Sequence, residues 1–345
     1  MATRGAYFIT YRDLASGLKG DKTFDHEIVD LITDSNPILD DIPVVEANDG
    51  SSNKTTIRTG LPTASWVQYY EGVQASKGSK QQIRNTAGHI KTRLEIDADL
   101  WNRAPDKSAL LLDEISGHTE AMNEAVADCL FYGKIATEPK KFNGLVNFYP
   151  THNGAASTDD RVSTHYVFDA KSTTQASTAA LRSIWLVGWS NKTFRCFYPQ
   201  GSKGGIRKGE FRKVDVTNPD DTTKTYEAMR QYMDWEIGLD VRDYRYGGRL
   251  VNLQADEMFD LSGVPNYIEL IRRLHTRVRS GGVRQAWYMD KLVWEACQLW
   301  FARATQSNAV TFANVQERMT PTLFGIPVRT CDALNTNEDE VAATA

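Results

Sequence analysis

The chain has 345 residues, a formal net charge of −4 and a pI of about 5.9, so it lacks the basic excess of a protein whose main task is gripping nucleic acid. Hydrophobic residues make up 41% and charged residues 24%, enough for a core of ordinary size and, at this length, for about two compact units. No apolar run reaches membrane-spanning length and MATRGAYFITYRDLASGLKG has no signal-peptide core, so a cytosolic origin without secretion is expected.

Residues 1–50 read as an arm. An amphipathic piece near Phe24–Ile32 gives way to DSNPILDDIPVVEANDG, where Pro37 and Pro43 interrupt any helix and favour an extended path against another surface. In residues 54–100, TTIRTGLPTASWVQYY and QQIRNTAGHIKTRLEIDADLW alternate Thr, Ile, Val and aromatic residues with polar ones. That pattern predicts two strands joined by the Gly/Ser/Lys-rich EGVQASKGSK. A two-stranded ribbon is marginal alone in water and must borrow stability from a neighbour, in the same chain or another.

Residues 106–133 are the clearest helix. Leu111, Ile115, Met122, Val126, Cys129 and Leu130 recur at three- and four-residue steps, Asp106 can cap the start after Pro105, and Gly133 can end it. Its length would be near 40 Å. Residues 134–180 are loop-rich. In residues 181–254, SIWLVGW is expected as a buried strand with TFRCFYP beside it. TYEAMRQYMDWEIG and LDVRDYRYGGRLVNL are expected as an antiparallel pair turning near Gly238. Helix returns in NYIELIRRLHTRV, with Ile268, Ile271, Leu274 and Val278 on one face, and in KLVWEACQLWFARA. AWYMD and TLFGIPVRTCDAL read as strands, and NTNEDEVAATA as a polar tail. The order predicts an α+β fold with helices and strands segregated.

Candidate chemistry is sparse. Cys129, Cys196, Cys297 and Cys331 are far apart, without CxxC or Cys/His spacing, so buried reduced thiols are expected rather than a zinc site. GSKGGIRKG at 201–209 has glycines and basic residues, but Glu210 follows Gly209 where a phosphate loop needs Lys, and the next segment reads as a strand. A basic loop is the better reading. The histidines, at 26, 89, 118, 152, 165 and 275, form no metal-binding motif, and no serine sits in a nucleophile elbow. Asp40/Asp41, Asp159/Asp160 and Asp220/Asp221 read as solvated loop pairs. Arg272, Arg273, Arg277 and Arg279 read as a basic helix face toward solvent or a neighbouring subunit. Trp287, Trp294, Trp300 and Phe301 read as core. No catalytic residue, metal or cofactor is expected. What remains is an arm, a ribbon and a long helix with too little local core, the parts a subunit of a tiled assembly needs.

NPILDDIPVVEAN, LPTASWVQYYEGVQASKG, EAMNEAVADCLFYGK with PKKFNGL, and SIWLVGW followed by FYPQGSKGGI resemble, in the same order, the major capsid proteins of short-tailed, epsilon-fifteen-like bacteriophages. The resemblance implies a Hong Kong 97-like capsid fold and an icosahedral shell of pentamers and hexamers enclosing double-stranded DNA. It implies this map: residues 1–50 the N-terminal arm, 51–104 the extended loop overlapping a neighbour, 105–180 a peripheral domain with the spine helix, 181–310 mixed peripheral strands and axial domain, and 311–345 the return strand and tail. Trp66, Tyr69 and Tyr70 would then anchor the loop on a neighbour, and Lys77, Lys80 and Arg84 would meet acidic partners there. The arm begins almost at once, so a scaffolding protein is expected to be separate, with a portal and a possible decoration protein as further partners. The shell would assemble in the host bacterial cytoplasm, its interior meeting DNA weakly and non-specifically. The alternatives are another structural virion protein or an α+β enzyme whose site is built from scattered residues.

Overall fold

The computed structural model describes residues 36–58, 60–152, 162–171, 180–218, 221–254, 267–303, 310–315, 318–334 and 337–343. The amphipathic piece near Phe24–Ile32, His26 and Asp159/Asp160 lie outside the described residues, as do Asp220 and the side chains of Asp221 and Phe301. In chain order the elements are α1 (Ile38–Asp41), β1 (Val44–Glu46), β2 (Ser52–Arg58), β3 (Lys80–Thr86), β4 (Gly88–Asp97), α2 (Ala98–Arg103), α3 (Lys107–Tyr132), α4 (Leu145–Phe148), β5 (Val167–Asp169), β6 (Leu181–Trp189), β7 (Phe194–Tyr198), β8 (Arg207–Lys208), β9 (Arg212–Asn218), β10 (Asp221–Val241), β11 (Gly247–Gln254), α5 (Tyr267–Arg277), β12 (Arg284–Met289), α6 (Lys291–Arg303), β13 (Val310–Val315), β14 (Arg318–Leu323) and β15 (Ile326–Thr330).

The described residues fall into two compact units, one of 89–126 and 205–236, the other of the remainder. In the first, β9 and β10 form an antiparallel hairpin that pairs Tyr226 with Val216 and Arg230 with Arg212. Its core gathers Leu94, Ile96 and Leu100 against Trp101, Leu110, Leu111, Ile115 and Phe211. Both helix starts are capped as their sequences require. Asp97 accepts from the Asp99 and Leu100 amides, and Asp106 Oδ1 from those of Ser108 at 2.9 Å and Ala109 at 3.0 Å. The buried Glu95 carboxylate collects the Tyr226 hydroxyl at 2.7 Å, Arg230 Nε at 3.1 Å and Arg93 Nε at 3.3 Å. Burial, with that hydrogen bond, pushes the Tyr226 phenol up to about 12.

The second unit is organised on β6, whose nine residues are all buried, as expected of a strand covered on both faces. β11 and β12 flank it antiparallel; β5 continues beyond β11, while β15, β14 and β13 continue beyond β12. Alternation sends Gly248 and Arg249 to opposite faces of β11. On the Gly248 side lies α5: a Cβ at Gly248 would sit 2.5 Å from Leu274 Cδ1 and 2.8 Å from Val278 Cγ2. On the Arg249 side lies the end of α3, where the Phe131 ring is 6.4 Å from Trp185. Gly133 closes α3, its amide donating to the Cys129 carbonyl at 2.9 Å. A Cβ there would lie 2.6 Å from that oxygen, so close packing selects glycine. Among the described residues no helix is long and apolar enough to cross a membrane.

Several local expectations change. The ribbon strands are shorter than the alternation suggests: β2 stops at Arg58, and the second arm breaks at Ala87 into β3 and β4. Gly238 is no turn. β10 runs through it, and its last residues pair with β7 while β11 pairs with β6 and β5; close packing selects glycine here, since a Cβ would meet Phe197 Cζ at 2.6 Å. TFRCFYP pairs with SIWLVGW as a strand only at Trp189–Phe194. Asp41 is not solvated: the buried Ile38 draws its one-turn helix into the core, and Asp41 follows, into contact with two arginines and a tyrosine. TLFGIPVRT is two strands around a tight turn at Phe324 and Gly325, both with positive φ. The polar tail is docked, through Glu338 and Val341.

All four cysteines are buried and unpaired. Burial pushes the Cys331 thiol up to about 12 and raises those of Cys129, Cys196 and Cys297. A thiol reagent near neutral pH is therefore expected to label essentially none of them in the folded chain and all four after denaturation. Rapid labelling of the folded chain would contradict this packing.

Candidate inter-subunit interface

β2 and β3 pair in register from Ser52–Thr86 to Arg58–Lys80 as a separate two-stranded sheet. The two-residue side-chain period puts Asn53 and Thr55 on one face, and the Asn53–Asn85 pairing puts Asn85 beside them. All three converge on Asp240, which has no exposed surface. Asn53 Nδ2 donates at 2.6 Å, Asn85 Nδ2 at 3.0 Å and Thr55 Oγ1 at 3.2 Å. Arg195 Nε completes the cluster at 3.1 Å and Arg242 Nε lies 3.4 Å away. Burial and the neighbouring Arg195 charge pull Arg242 below its ordinary range, against the pull of Asp240. At the strand ends Asp49 meets Lys54 at 3.1 Å and Arg84 at 3.2 Å. Hydrogen bonds from Lys54 and Ser52 lower the Asp49 carboxyl.

Beyond this root the chain leaves its own core. Gly60 and Ser79 exchange backbone hydrogen bonds at 3.3 and 3.2 Å, and Ser76 Oγ reaches the Thr63 carbonyl at 3.0 Å. A turn follows, in which the Glu71 amide donates to the Gln68 carbonyl and Glu71 accepts from the Gln68 amide. Tyr70 sits in the left-handed region at φ 69°, a costly place for an aromatic residue. Trp66, Tyr69 and Tyr70 are 103%, 97% and 109% exposed, and Leu61, Val67 and Val73 share the loop. Three large aromatic rings thus face water on one short loop, an unusual exposure of apolar surface.

Of the six expected contact residues, the structure gathers Trp66, Tyr69 and Tyr70 at the tip and places Lys77 and Lys80 on the exposed returning limb. Neither lysine forms an ion pair among the described residues. Arg84 stands apart at the root, where it binds Asp49 and Ser52 of its own chain. Sequence reasoning missed Asp240 and Arg195, and likewise Asp41, whose side chain takes Tyr288 at 2.8 Å, Arg284 at 2.7 Å and Arg329 at 3.3 Å. The available signal was a lone arginine inside an apolar strand, as in TFRCFY, since a buried charge needs a partner.

Nothing in the described residues assembles a reaction centre. No group of three or more metal-ligating side chains occurs among them. Arg207 of the basic loop is held by Asp234 and Glu236, which occupy the charge a phosphate would need. Trp287, Trp294 and Trp300 are core. On α5, Arg277 lies over the Phe168 ring at 4.6 Å and donates to the His165 carbonyl.

The family described as Major capsid protein GP7 matches residues 20–342. Among solved structures, a chain of bacteriophage Epsilon15 superposes with a TM-score of 0.75 at 24% identity, covering 100% of both chains. A chain of the bacteriophage JBD30 capsid superposes with a TM-score of 0.50 at 13% identity, covering 94% of this chain and 99% of that one. Both likenesses are of fold, and they place the α+β architecture among phage capsid proteins of the Hong Kong 97-like type. No curated protein matches the chain.

Proposed function

The chain belongs to the major capsid protein GP7 family, whose members form the shell of phage virions, and from that premise we propose how one copy holds the next. The ribbon reaches over a neighbouring subunit and seats Trp66, Tyr69 and Tyr70 there, with Lys77 and Lys80 orienting it on acidic groups. Copies close as pentamers and hexamers around double-stranded DNA, in the host cytoplasm, with a separate scaffolding protein and a portal. The work is structural: burial of surface between copies, with no bond made or broken. The observation that carries this reading is the loop of residues 60–79, whose Trp66, Tyr69 and Tyr70 side chains are uncovered among the described residues while its root is fixed by Asp240.

Full burial of one such side chain contributes about 1.5–3 kcal/mol. Trp66→Ala is therefore expected to weaken each contact by about 2 kcal/mol, roughly thirtyfold, while the isolated subunit keeps its stability. Electron microscopy and sedimentation of both proteins read the first effect, and denaturant unfolding of the subunit reads the second. Closed shells at the same threshold concentration for Trp66→Ala would remove the tip from the interface. Destabilised subunits would make Trp66 ordinary core.

A further inference from the structure

Residues 337–343 run across the second unit with most side chains in solvent: Asn337, Asp339, Glu340, Ala342 and Ala343 are exposed. Glu338 and Val341 hold its middle, while Lys171 pairs with Glu340 and the His152 amide donates to the Ala342 carbonyl at 3.2 Å beside a His152–Ala343 bridge. Glu338 makes a single antiparallel bridge with Leu181, its amide donating to the Leu181 carbonyl at 2.9 Å. Its carboxylate enters a polar recess, taking the Tyr132 hydroxyl at 2.7 Å, Arg249 Nη2 at 2.6 Å and the Ser183 hydroxyl. Three positions on, Asn252 brackets the Val341 backbone: Oδ1 accepts its amide at 2.9 Å and Nδ2 donates to its carbonyl at 3.1 Å.

Both receptors are held in place without the tail. The Arg249 side chain is only 2% exposed, lies over the Trp185 ring at 4.8 Å, and donates through Nε to Ser183 at 3.1 Å and through Nη1 to the Tyr149 carbonyl at 3.3 Å. None of those partners is a carboxylate, so Glu338 supplies the counter-charge that a buried guanidinium requires. Asn252 owes its direction to a bulge. The β11 register with β6 shifts between Leu250 and Leu253, and Asn252 takes φ 61°, turning its amide toward the tail while Asp169 Oδ1 fixes Nδ2 at 2.7 Å. Strain of this kind in a buried strand is kept where it serves recognition.

We propose that Tyr132, Ser183, Arg249 and Asn252 form a binding site for an acidic peptide segment, occupied by the chain's own residues 337–343. The site reads a carboxylate and, three residues later, a backbone amide and carbonyl, so it accepts Glu-x-x-X for any X that keeps its N–H. The tail is then a bound ligand that opens by itself, not a part of the core. This assignment stands apart from the ribbon's role.

Hydrogen exchange followed by mass spectrometry on the full chain tests it first. Residues 337–343 are expected to exchange at least tenfold faster than β6, by local opening, and Glu338→Gln to speed that exchange at least tenfold more while β6 is unchanged. A second measurement uses a chain ending at Leu334 and the synthetic peptide NEDEVAATA. The shortened chain is expected to keep its fold and bind the peptide, with the Glu338→Gln peptide at least tenfold weaker. Exchange of the tail only together with β6 would overturn the proposal. So would a shortened chain that fails to fold, or one that binds neither peptide or both equally.

Discussion

Asp240→Ala is expected to destabilise the subunit by about 3–5 kcal/mol, the range for removing one member of a buried ion pair. The cost arises from what is left behind. Arg195, whose side chain is 11% exposed, would keep its charge without a carboxylate, and the donors of Asn53, Thr55 and Asn85 would lose their shared acceptor. Because those three residues belong to β2 and β3, the loss falls on the root of the ribbon, and shells should fail along with it. Asp240→Asn keeps the volume but turns an NH2 group toward donors, so it should recover only part of the loss. Asp113→Ala, on an exposed turn of α3, is the control and should stay within about 0.5 kcal/mol. Denaturant midpoints of the unassembled subunit give the energies, and hydrogen exchange over 52–58 and 80–86 shows where they act. A loss under about 1 kcal/mol, with those amides still protected, would mean that the ribbon is held by its own pairing.

Elements whose boundaries are set by local chemistry were legible in the sequence. The long helix begins one residue after its Asp106 cap and ends one residue before Gly133. α5 buries Ile271 and Leu274, and Val278 just past its end, as their spacing implies, while Ile268 on the same face is half-buried. Elements set by partners far along the chain were not. The burial of Asp41, Asp240 and Glu338 depends on arginines 243, 45 and 89 positions away, Arg284, Arg195 and Arg249. The tail NEDEVAA has the composition of a solvated end; the bulge at Asn252, the pocket of Arg249 and the contacts of His152 and Lys171 make it a docked segment. The exposure of the ribbon tip was legible for the converse reason. LPTASWVQYY is too aromatic to face water for its own sake, and no distant partner among the described residues covers it. Where Arg84 is concerned, composition could not separate a charge offered to a neighbour from one that ties Asp49 at the ribbon's own root.

Gly238 separates two readings of one residue. In a turn, its replacement would be decided by backbone angle and would be cheap at a solvent-exposed corner. Near the end of β10 its φ is not in the left-handed region, so the backbone tolerates a side chain and only space forbids one. A Cβ would lie 2.6 Å from Cζ and 2.9 Å from Cε1 of Phe197, and 3.0 Å from the Ala87 Cα. The phenyl ring could turn aside, but the Ala87 backbone, between β3 and β4, cannot. Gly238→Val, which adds two further methyl groups, is therefore expected to cost about 3 kcal/mol, the upper end for overpacking a filled site. Gly238→Ala should cost less. Phe197→Leu should partly relieve either one, so a double-mutant cycle between 238 and 197 should show coupling of about 1 kcal/mol or more in the favourable direction. Thermal or denaturant unfolding of the four proteins measures it. Full additivity, or a Gly238→Val chain as stable as the parent, would mean that the strand bends away at Gly238, as the turn expected there requires.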